Sequence, residues 1–212
     1  PLLGLKNVNT FVGRDWTKTV DDNWPRFLAT WRPLVALAEE HDVRIGIENC
    51  PMIFSLDEWP GGNNLASTPA IWRKMWEIIP DQNFGLNLDP SHLIWQFIDP
   101  VRVVYEFKDR IFHVHAKDCK LDTANITVNG VLDAKSYTRE LERSWIFRTV
   151  GYGNGAPVWK AMVSALRLVG YDHVLSIEHE DSLMSGTEGL KKAIAFLKDV
   201  VITEPAGEAY WA

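Results

Sequence analysis

Four short apolar runs of this chain each end in a side chain able to ligate a metal: Arg44-Ile-Gly-Ile-Glu48, Phe84-Gly-Leu-Asn-Leu-Asp89, Ile111-Phe-His-Val-His115 and Val174-Leu-Ser-Ile-Glu178. Stretches of helical period separate the runs, so they read as parallel strands joined by crossover helices. Parallel strands bring their C-terminal ends to one mouth. Two glutamates, an aspartate and a histidine would meet there, a donor set for a divalent cation rather than a flat binding surface.

The phase of the side chains supports this reading. Residues two apart in a strand share a face, so Glu48 lies with Gly46, Asp89 with Asn87 and Gly85, His115 with His113, and Glu178 with Ser176. The bulky residues Ile45, Ile47, Leu86, Leu88, Phe112, Val114, Leu175 and Ile177 fall in the other phase and are expected to face helices. Small or polar residues would then leave room beneath the site.

At 212 residues and 46% hydrophobic, the chain can bury a sizeable core as one domain. A formal charge of −6 argues against nucleic acid as a partner, because no basic surplus exists to displace counterions. Cys50 and Cys119 are too few for a disulfide framework, which points to a reducing, cytoplasmic setting. No apolar run is long enough to span a membrane, and no secretion signal opens the chain. The first residue is Pro1, directly ahead of an apolar segment, which reads as a cut start.

Along the chain, Leu5 to Phe11 is a strand candidate. Trp24 to His41 carries helical spacing, with Pro25 and Pro33 limiting its early turns. After the strand at 44–48, Pro51, Pro60-Gly61-Gly62 and Asn63-Asn64 mark a long loop. A helix is predicted from Thr68-Pro69 to about Ile79, with Ser67 or Thr68 as its cap. Further helices are predicted at Pro100 to Phe107, Val158 to Val169 and Gly189 to Val200. Residues 126–132 carry a β-hairpin signal around Asn129-Gly130, an insertion expected above the mouth. Only five strands are evident, whereas an eight-stranded barrel usually takes about 250 residues. The fold is therefore either an open sheet or a barrel without its first units.

The ordered set Ile45-Gly-Ile-Glu-Asn-Cys-Pro-Met52, Gly85-Leu-Asn-Leu-Asp-Pro-Ser-His92, His113-Val-His-Ala-Lys-Asp118 and Leu175-Ser-Ile-Glu-His-Glu-Asp181 resembles the xylose isomerase-like TIM-barrel superfamily, in its sugar phosphate isomerase and epimerase branch. The resemblance runs from about Val8 to Leu197. It implies an α/β fold, a TIM (β/α)8 barrel that is incomplete, lacking its first two strand-helix units, over a single partial domain 1–212. It also implies a metal held by Glu48, Asp89, His115 and Glu178, with Glu48 and Glu178 as the proton-transferring pair. His92, three residues after the aspartate, matches a histidine that approaches substrate or a neighbouring metal. A barrel short of two units exposes strand edges and an unfilled interior. A partner such as a second copy of the chain would be one way to cover them.

One imidazole and three carboxylates suit Mn²⁺ best, and also Mg²⁺, Co²⁺ or Zn²⁺. Such an ion can polarise a carbonyl and stabilise an enediolate, and the resemblance implies an isomerase or epimerase acting on a sugar, sugar phosphate or polyol. A lyase or dehydratase of a polyol or keto acid needs much the same ligands, and an inactive or partner-dependent metal-binding fragment is the non-enzymatic alternative. Lys117 is a candidate substrate contact at the strand end. The resemblance also makes Arg148, ahead of Gly151-Tyr-Gly-Asn-Gly155, the candidate contact for an anionic substrate group. His113, one layer deeper than His115, reads as a core histidine, and Trp59 and Trp95 are candidates to line the mouth. The superfamily also holds three-metal DNA-repair endonucleases, but no histidine lies here between His115 and His173 to complete their cluster.

Overall fold

The computed structural model describes residues 3–54 and 62–209. In chain order the elements are β1 (Asn7–Thr10), α1 (Val20–Glu40), β2 (Arg44–Glu48), α2 (Pro69–Ile78), β3 (Phe84–Leu88), α3 (Pro90–Ile94), α4 (Pro100–Glu106), β4 (Ile111–Ala116), β5 (Asp118–Leu121), α5 (Thr123–Asn129), β6 (Trp145–Arg148), α6 (Ala156–Leu168), β7 (Leu175–Ile177) and α7 (Gly186–Val200). Five parallel strands pair in the order β1-β2-β3-β4-β7. They form a curled, open half-barrel flanked by helices, consistent with an incomplete (β/α)8 barrel. β5 and β6 form a separate antiparallel ribbon. Among the described residues no helix is long and apolar enough to cross a membrane.

The helices form where capping and apolar stripes agree. Thr19 accepts a hydrogen bond from the Asp22 N–H, which starts α1 about a turn before the predicted Trp24, and the helix continues through Pro25 and Pro33. Phe27, Trp31, Val35 and Ala38 line its buried face. They pack with Ile45 and Ile47 of β2 and Leu86 and Leu88 of β3 in one core that also takes in Trp72 and Met75 of α2 and Trp159 and Met162 of α6. Pro69 opens α2 at its first turn, after Thr68, whose side chain makes no capping bond.

Strand β4 departs from simple alternation. Its register with β3 runs Leu86 to Ile111 and then Asn87 to His113, so Phe112 is an extra, bulged residue. Ile111 and Val114, three apart, both join the helix-side core. Phe112 instead lies over Gly85, where a Cβ would sit 2.6 Å from its ring, so the predicted outward phase of Phe112 is not found.

The hairpin predicted at 126–132 is also replaced. Asp122 accepts from the Asn125 N–H and caps α5, which carries these residues as helix. Gly130, at φ 71°, ends it with its N–H on the Ile126 carbonyl. A glycine in that conformation serves a helix C-terminus as readily as a tight turn, and the side-chain cap at Asp122 decides for the helix. The antiparallel pairing of this region belongs to β5 and β6, which bracket the inserted helix.

One edge of the sheet is apolar and open. Val8 of β1 is 49% exposed, and with Leu34 and Leu37 of α1 it frames an apolar groove of about 350 Å³.

Candidate metal centre

Each predicted ligand sits at the C-terminal end of its strand. Glu48 is the last residue of β2, Asp89 follows β3 as the N-cap of α3, His115 lies near the end of β4, and Glu178 follows β7. One donor atom from each lies within 4.8 Å of the others. Donors sharing one cation at about 2.0–2.6 Å are at most about 4–5 Å apart, so the set is compact enough for a single ion.

Asp89 divides its two oxygens between structure and site. Oδ1 accepts from the Ser91 N–H at 2.8 Å and from the Ser91 hydroxyl at 2.6 Å, which aims Oδ2 at the centre. His115 Nδ1 lies 2.8 Å from Glu178 Oε2, 3.7 Å from Glu48 Oε2 and 3.8 Å from Asp89 Oδ2. Even so, Asp89 Oδ2, His115 Nδ1 and Glu178 Oε2 are buried without a hydrogen bond of acceptable geometry. Buried polar atoms without partners are costly, and a cation among them would satisfy all three. The donor set, one imidazole and three carboxylates, fits a divalent ion.

The charges of these four side chains show the same tension. Burial and the neighbouring Asp89 push the Glu48 carboxyl up to about 7. Burial favours a neutral His115, but Asp89, Glu178 and Glu48 outweigh it and raise the imidazole to about 10. Burial would also raise Asp89, yet His92, His115, Lys117 and Ser91 hold it down at about 2. Glu178 is lowered: burial opposes this, and His115 and Lys117 prevail. A proton on His115 thus occupies the place a metal would take.

Asparagines with no signal in the sequence position the candidate ligands. The Asn49 amide clasps the Asp89 backbone, donating to its carbonyl at 2.9 Å and accepting from its N–H at 2.7 Å. Asn64 donates to the carbonyls of Glu48 and Cys50. The Asn87 amide nitrogen is 2.9 Å from His115 Nε2, while its Oδ1 is buried and unpaired. With the amide turned over, Nε2–H donates to Oδ1 and the lone pair on Nδ1 is freed for an ion.

Two of the three predicted substrate contacts border the centre. Lys117, 2% exposed, places Nζ 3.2 Å from Glu178 Oε1 and 3.0 Å from Glu180 Oε2, with the Phe147 ring at 4.2 Å. Burial opposes its charge, but Asp89, Glu178 and Glu180 keep its pKa above the usual lysine range. His92 Nε2 lies 3.4 Å from Asp89 Oδ2 and 3.8 Å from Glu48 Oε1, and burial lowers the ring to about 4. Arg148 is placed differently. Its guanidinium bonds to the Phe147 carbonyl, Asp181, Ser182 and Glu140, none of them a member of the ligand quartet.

Behind His92 and Lys117 stands an aromatic wall. Trp95 stacks on Trp145 at 4.7 Å, and Phe147 meets His92 edge-on at 5.2 Å. Trp95 therefore supports the site from the second small core. Trp59 lies outside the described residues. His113 is half-buried below His115, with ring centroids 5.8 Å apart.

The sequence profile of the xylose isomerase-like TIM barrel matches residues 2–200. The chain belongs to this family. Among curated proteins it is 38% identical over 117 residues to the uncharacterized protein YfiH of Bacillus subtilis (strain 168), a match covering 55% of this chain and 37% of that protein. It is 26% identical over 140 residues to the inosose dehydratase of Geobacillus thermodenitrificans (strain NG80-2), covering 65% of this chain and 45% of the dehydratase. The chain thus spans less than half the length of these curated relatives. Among solved structures, the IOLI protein with a bound zinc atom shares the fold at a TM-score of 0.63 and 18% identity, covering 94% of this chain and 64% of that one.

Proposed function

We propose that this chain carries the catalytic face of a divalent-metal-dependent isomerase or epimerase of sugars or sugar phosphates, working by proton removal next to a carbonyl through an enediolate. The observation that carries the reading is the convergence of Glu48, Asp89, His115 and Glu178, with three buried donor atoms left unpaired. A bound divalent ion, Mn²⁺ in first place and Mg²⁺, Co²⁺ or Zn²⁺ otherwise, supplies Lewis acidity to the substrate oxygens. The zinc bound by the IOLI protein accords with a cation at this mouth.

The chain's own residues divide the remaining work. Glu178 has the more exposed of the two glutamate side chains, 32% against 11% for Glu48, so it meets substrate first and takes the proton. Lys117 keeps that carboxylate charged and oriented. Glu48, on β2 at the other side of β3 and β4, returns a proton from the far side. Lys117 and His92 offer hydrogen bonds to substrate hydroxyls. Arg148 would take an anionic group in exchange for Glu140 or Asp181.

A dehydratase is the second reading, favoured by the similarity to inosose dehydratase and by the Lys117 ammonium beside Glu178. It shares the first proton removal, after which a neighbouring hydroxyl leaves with a proton from Lys117. The open apolar groove beside β1 favours a third form, in which activity waits on a covering partner or a second copy. The two cysteines are free and buried, in keeping with a reducing cytoplasmic setting.

The test is solvent deuterium exchange by the Mn²⁺-loaded chain on candidate ketoses and keto acids. Deuterium should enter the carbon beside the carbonyl, and Glu178→Gln should abolish it. Exchange that survives this substitution rejects the role of Glu178, and elimination without exchange into recovered substrate favours the dehydratase.

A further inference from the structure

We propose that the half-barrel carries a separate oxyanion site at the end opposite the candidate metal centre, formed by Arg44, Lys108 and His173 and suited to a phosphate group. These side chains line one cavity of about 410 Å³ together with Phe112 and Gly170. Arg44 opens β2, Lys108 stands shortly ahead of β4 and His173 shortly ahead of β7, so the cavity lies at the N-terminal ends of the strands.

One asparagine orients two of the three groups. Asn7 Oδ1 accepts from Arg44 Nε at 2.9 Å, and because a guanidinium only donates, the amide nitrogen of Asn7 is the atom turned to His173. That nitrogen lies 2.6 Å from His173 Nε2 and 3.3 Å from the Phe112 carbonyl. An amide nitrogen also only donates, so Nε2 accepts and the ring proton sits on Nδ1, where it is available to a ligand. The Arg44 guanidinium lies over the Phe112 ring, 5.0 Å from its centroid. With Nε bonded and its plane supported, Arg44 presents its two terminal nitrogens as a fork that takes two oxygens of one oxyanion.

The charges favour an anion. Among the described residues neither Arg44 nor Lys108 forms an ion pair, and Asp42, the acid nearest Arg44 in sequence, is bonded to Lys6 instead. Asp172 is the one acid in the lining and pairs with neither cation, so two positive charges face one negative. A fork, an ammonium and an imidazole N–H approach from three separate segments, which surrounds a tetrahedral phosphate better than a planar carboxylate. Arg44 and Glu48 stand at opposite ends of β2, about 13 Å apart at a rise of about 3.3 Å per residue, so the site does not depend on the reading of the mouth. Asn7 belongs to β1 and His173 precedes β7, the two edge strands of the sheet. An anion held here ties the edges together and stabilises the folded chain by mass action.

The experiment is titration of the chelator-stripped chain with inorganic phosphate and, separately, with glucose 6-phosphate at constant ionic strength, followed by amide NMR and by melting temperature. In the unsubstituted chain the Asn7 side-chain amide and the backbone amides of Gly170 and His173 should shift saturably, and the melting temperature should rise with phosphate. Arg44→Gln should weaken binding about 10–100-fold and His173→Ala about 2–10-fold, whereas Arg148→Gln should leave it unchanged. Equal affinity for the two probes supports the site with free phosphate as its ligand, and tighter binding of the ester supports it with a phosphorylated metabolite. No saturable shift at Asn7, Gly170 and His173 overturns the proposal. Binding that survives both Arg44→Gln and His173→Ala, or that Arg148→Gln abolishes, places the anion elsewhere and overturns it as well.

Discussion

Asp118 offers the sharpest test of how the mouth is built. Its side chain is fully buried and gathers donors from across the ribbon and the loop that follows β6. Oδ1 accepts from the Cys119 N–H at 2.9 Å and the Asn154 amide at 2.8 Å. Oδ2 accepts from the N–H groups of Gly151, Gly153 and Asn154 and from the Trp159 indole, at 2.9, 3.3, 2.9 and 3.2 Å. Gly153 has to be glycine here, because a Cβ would fall 2.8 Å from Asp118 Oδ1 and 2.7 Å from the Cys119 carbonyl carbon. Replacing Asp118 by Asn keeps one oxygen but turns an NH₂ towards donors, so at least two hydrogen bonds become donor-donor contacts. At about 1–3 kcal/mol for each buried group left unsatisfied, two such groups put the cost of Asp118→Asn at about 2–6 kcal/mol. Asp118→Ala strands all the donors, but the space left can admit water, so the loss should stay well below the simple total and fall in the same range of about 2–6 kcal/mol. Urea denaturation measures this as a lower midpoint at unchanged slope, and hydrogen exchange should show the amides of Gly151, Gly153 and Asn154 losing protection. A cost below about 1 kcal/mol for both variants, with those amides still protected, would refute the anchoring role.

Three other outcomes follow from the site. Metal binding should release protons: with His115 at about 10 and Glu48 at about 7 in the ion-free protein, roughly one and a half leave at pH 7 and about one between pH 8 and 9. Affinity therefore rises with pH across this range, and calorimetry in buffers of different ionisation enthalpy checks it; metal uptake with no proton release would contradict the assignment. Asn87→Leu should weaken metal binding about 10–100-fold, because it removes the group that orients His115, whereas Asn87→Asp should keep it, as judged by competition with a chromophoric chelator. Gly189→Ala should lower the melting temperature despite alanine's better helix propensity, because its Cβ would sit 2.1 Å from the His179 ring; a rise in melting temperature would refute that contact as rigid.

The cluster of candidate ligands is legible because a gathering of side chains at strand ends is written in local features. Glu48, Asp89 and Glu178 each close a period-two run, and each such run became a strand of the sheet. Their supports are not local. Asn49 reaches a backbone 40 residues away and Asn64 one 16 residues away, and nothing in either neighbourhood separates such an asparagine from a loop residue. The ribbon was equally hidden, since β5 has four residues and only Lys117 separates it from β4. Arg148 shows the converse. A basic residue ahead of a glycine-rich turn looks free for an anion, yet its neutralising partners Glu140 and Asp181 come from two other segments.

His115 depends on more than phase, and here the local pattern succeeded for an incomplete reason. Alternation within β4 places His113 and His115 on one face, but only the register with β3 decides which face that is. Leu86 is level with Ile111, and both belong to the helix-side core. Continued without a bulge, that register would set Asn87 opposite Phe112 and Leu88 opposite His113, turning both histidines towards the helices. The extra residue at Phe112 shifts the pairing by one, so that Asn87 meets His113 and its amide reaches His115 Nε2 at 2.9 Å. Gly85 makes the shift sterically feasible, because the Phe112 ring and the Arg110 carbonyl occupy the space a side chain there would need. The His115 imidazole is thus delivered to the mouth by a bulge on one strand and a glycine on its neighbour, a pairing that spacing within either strand does not reveal.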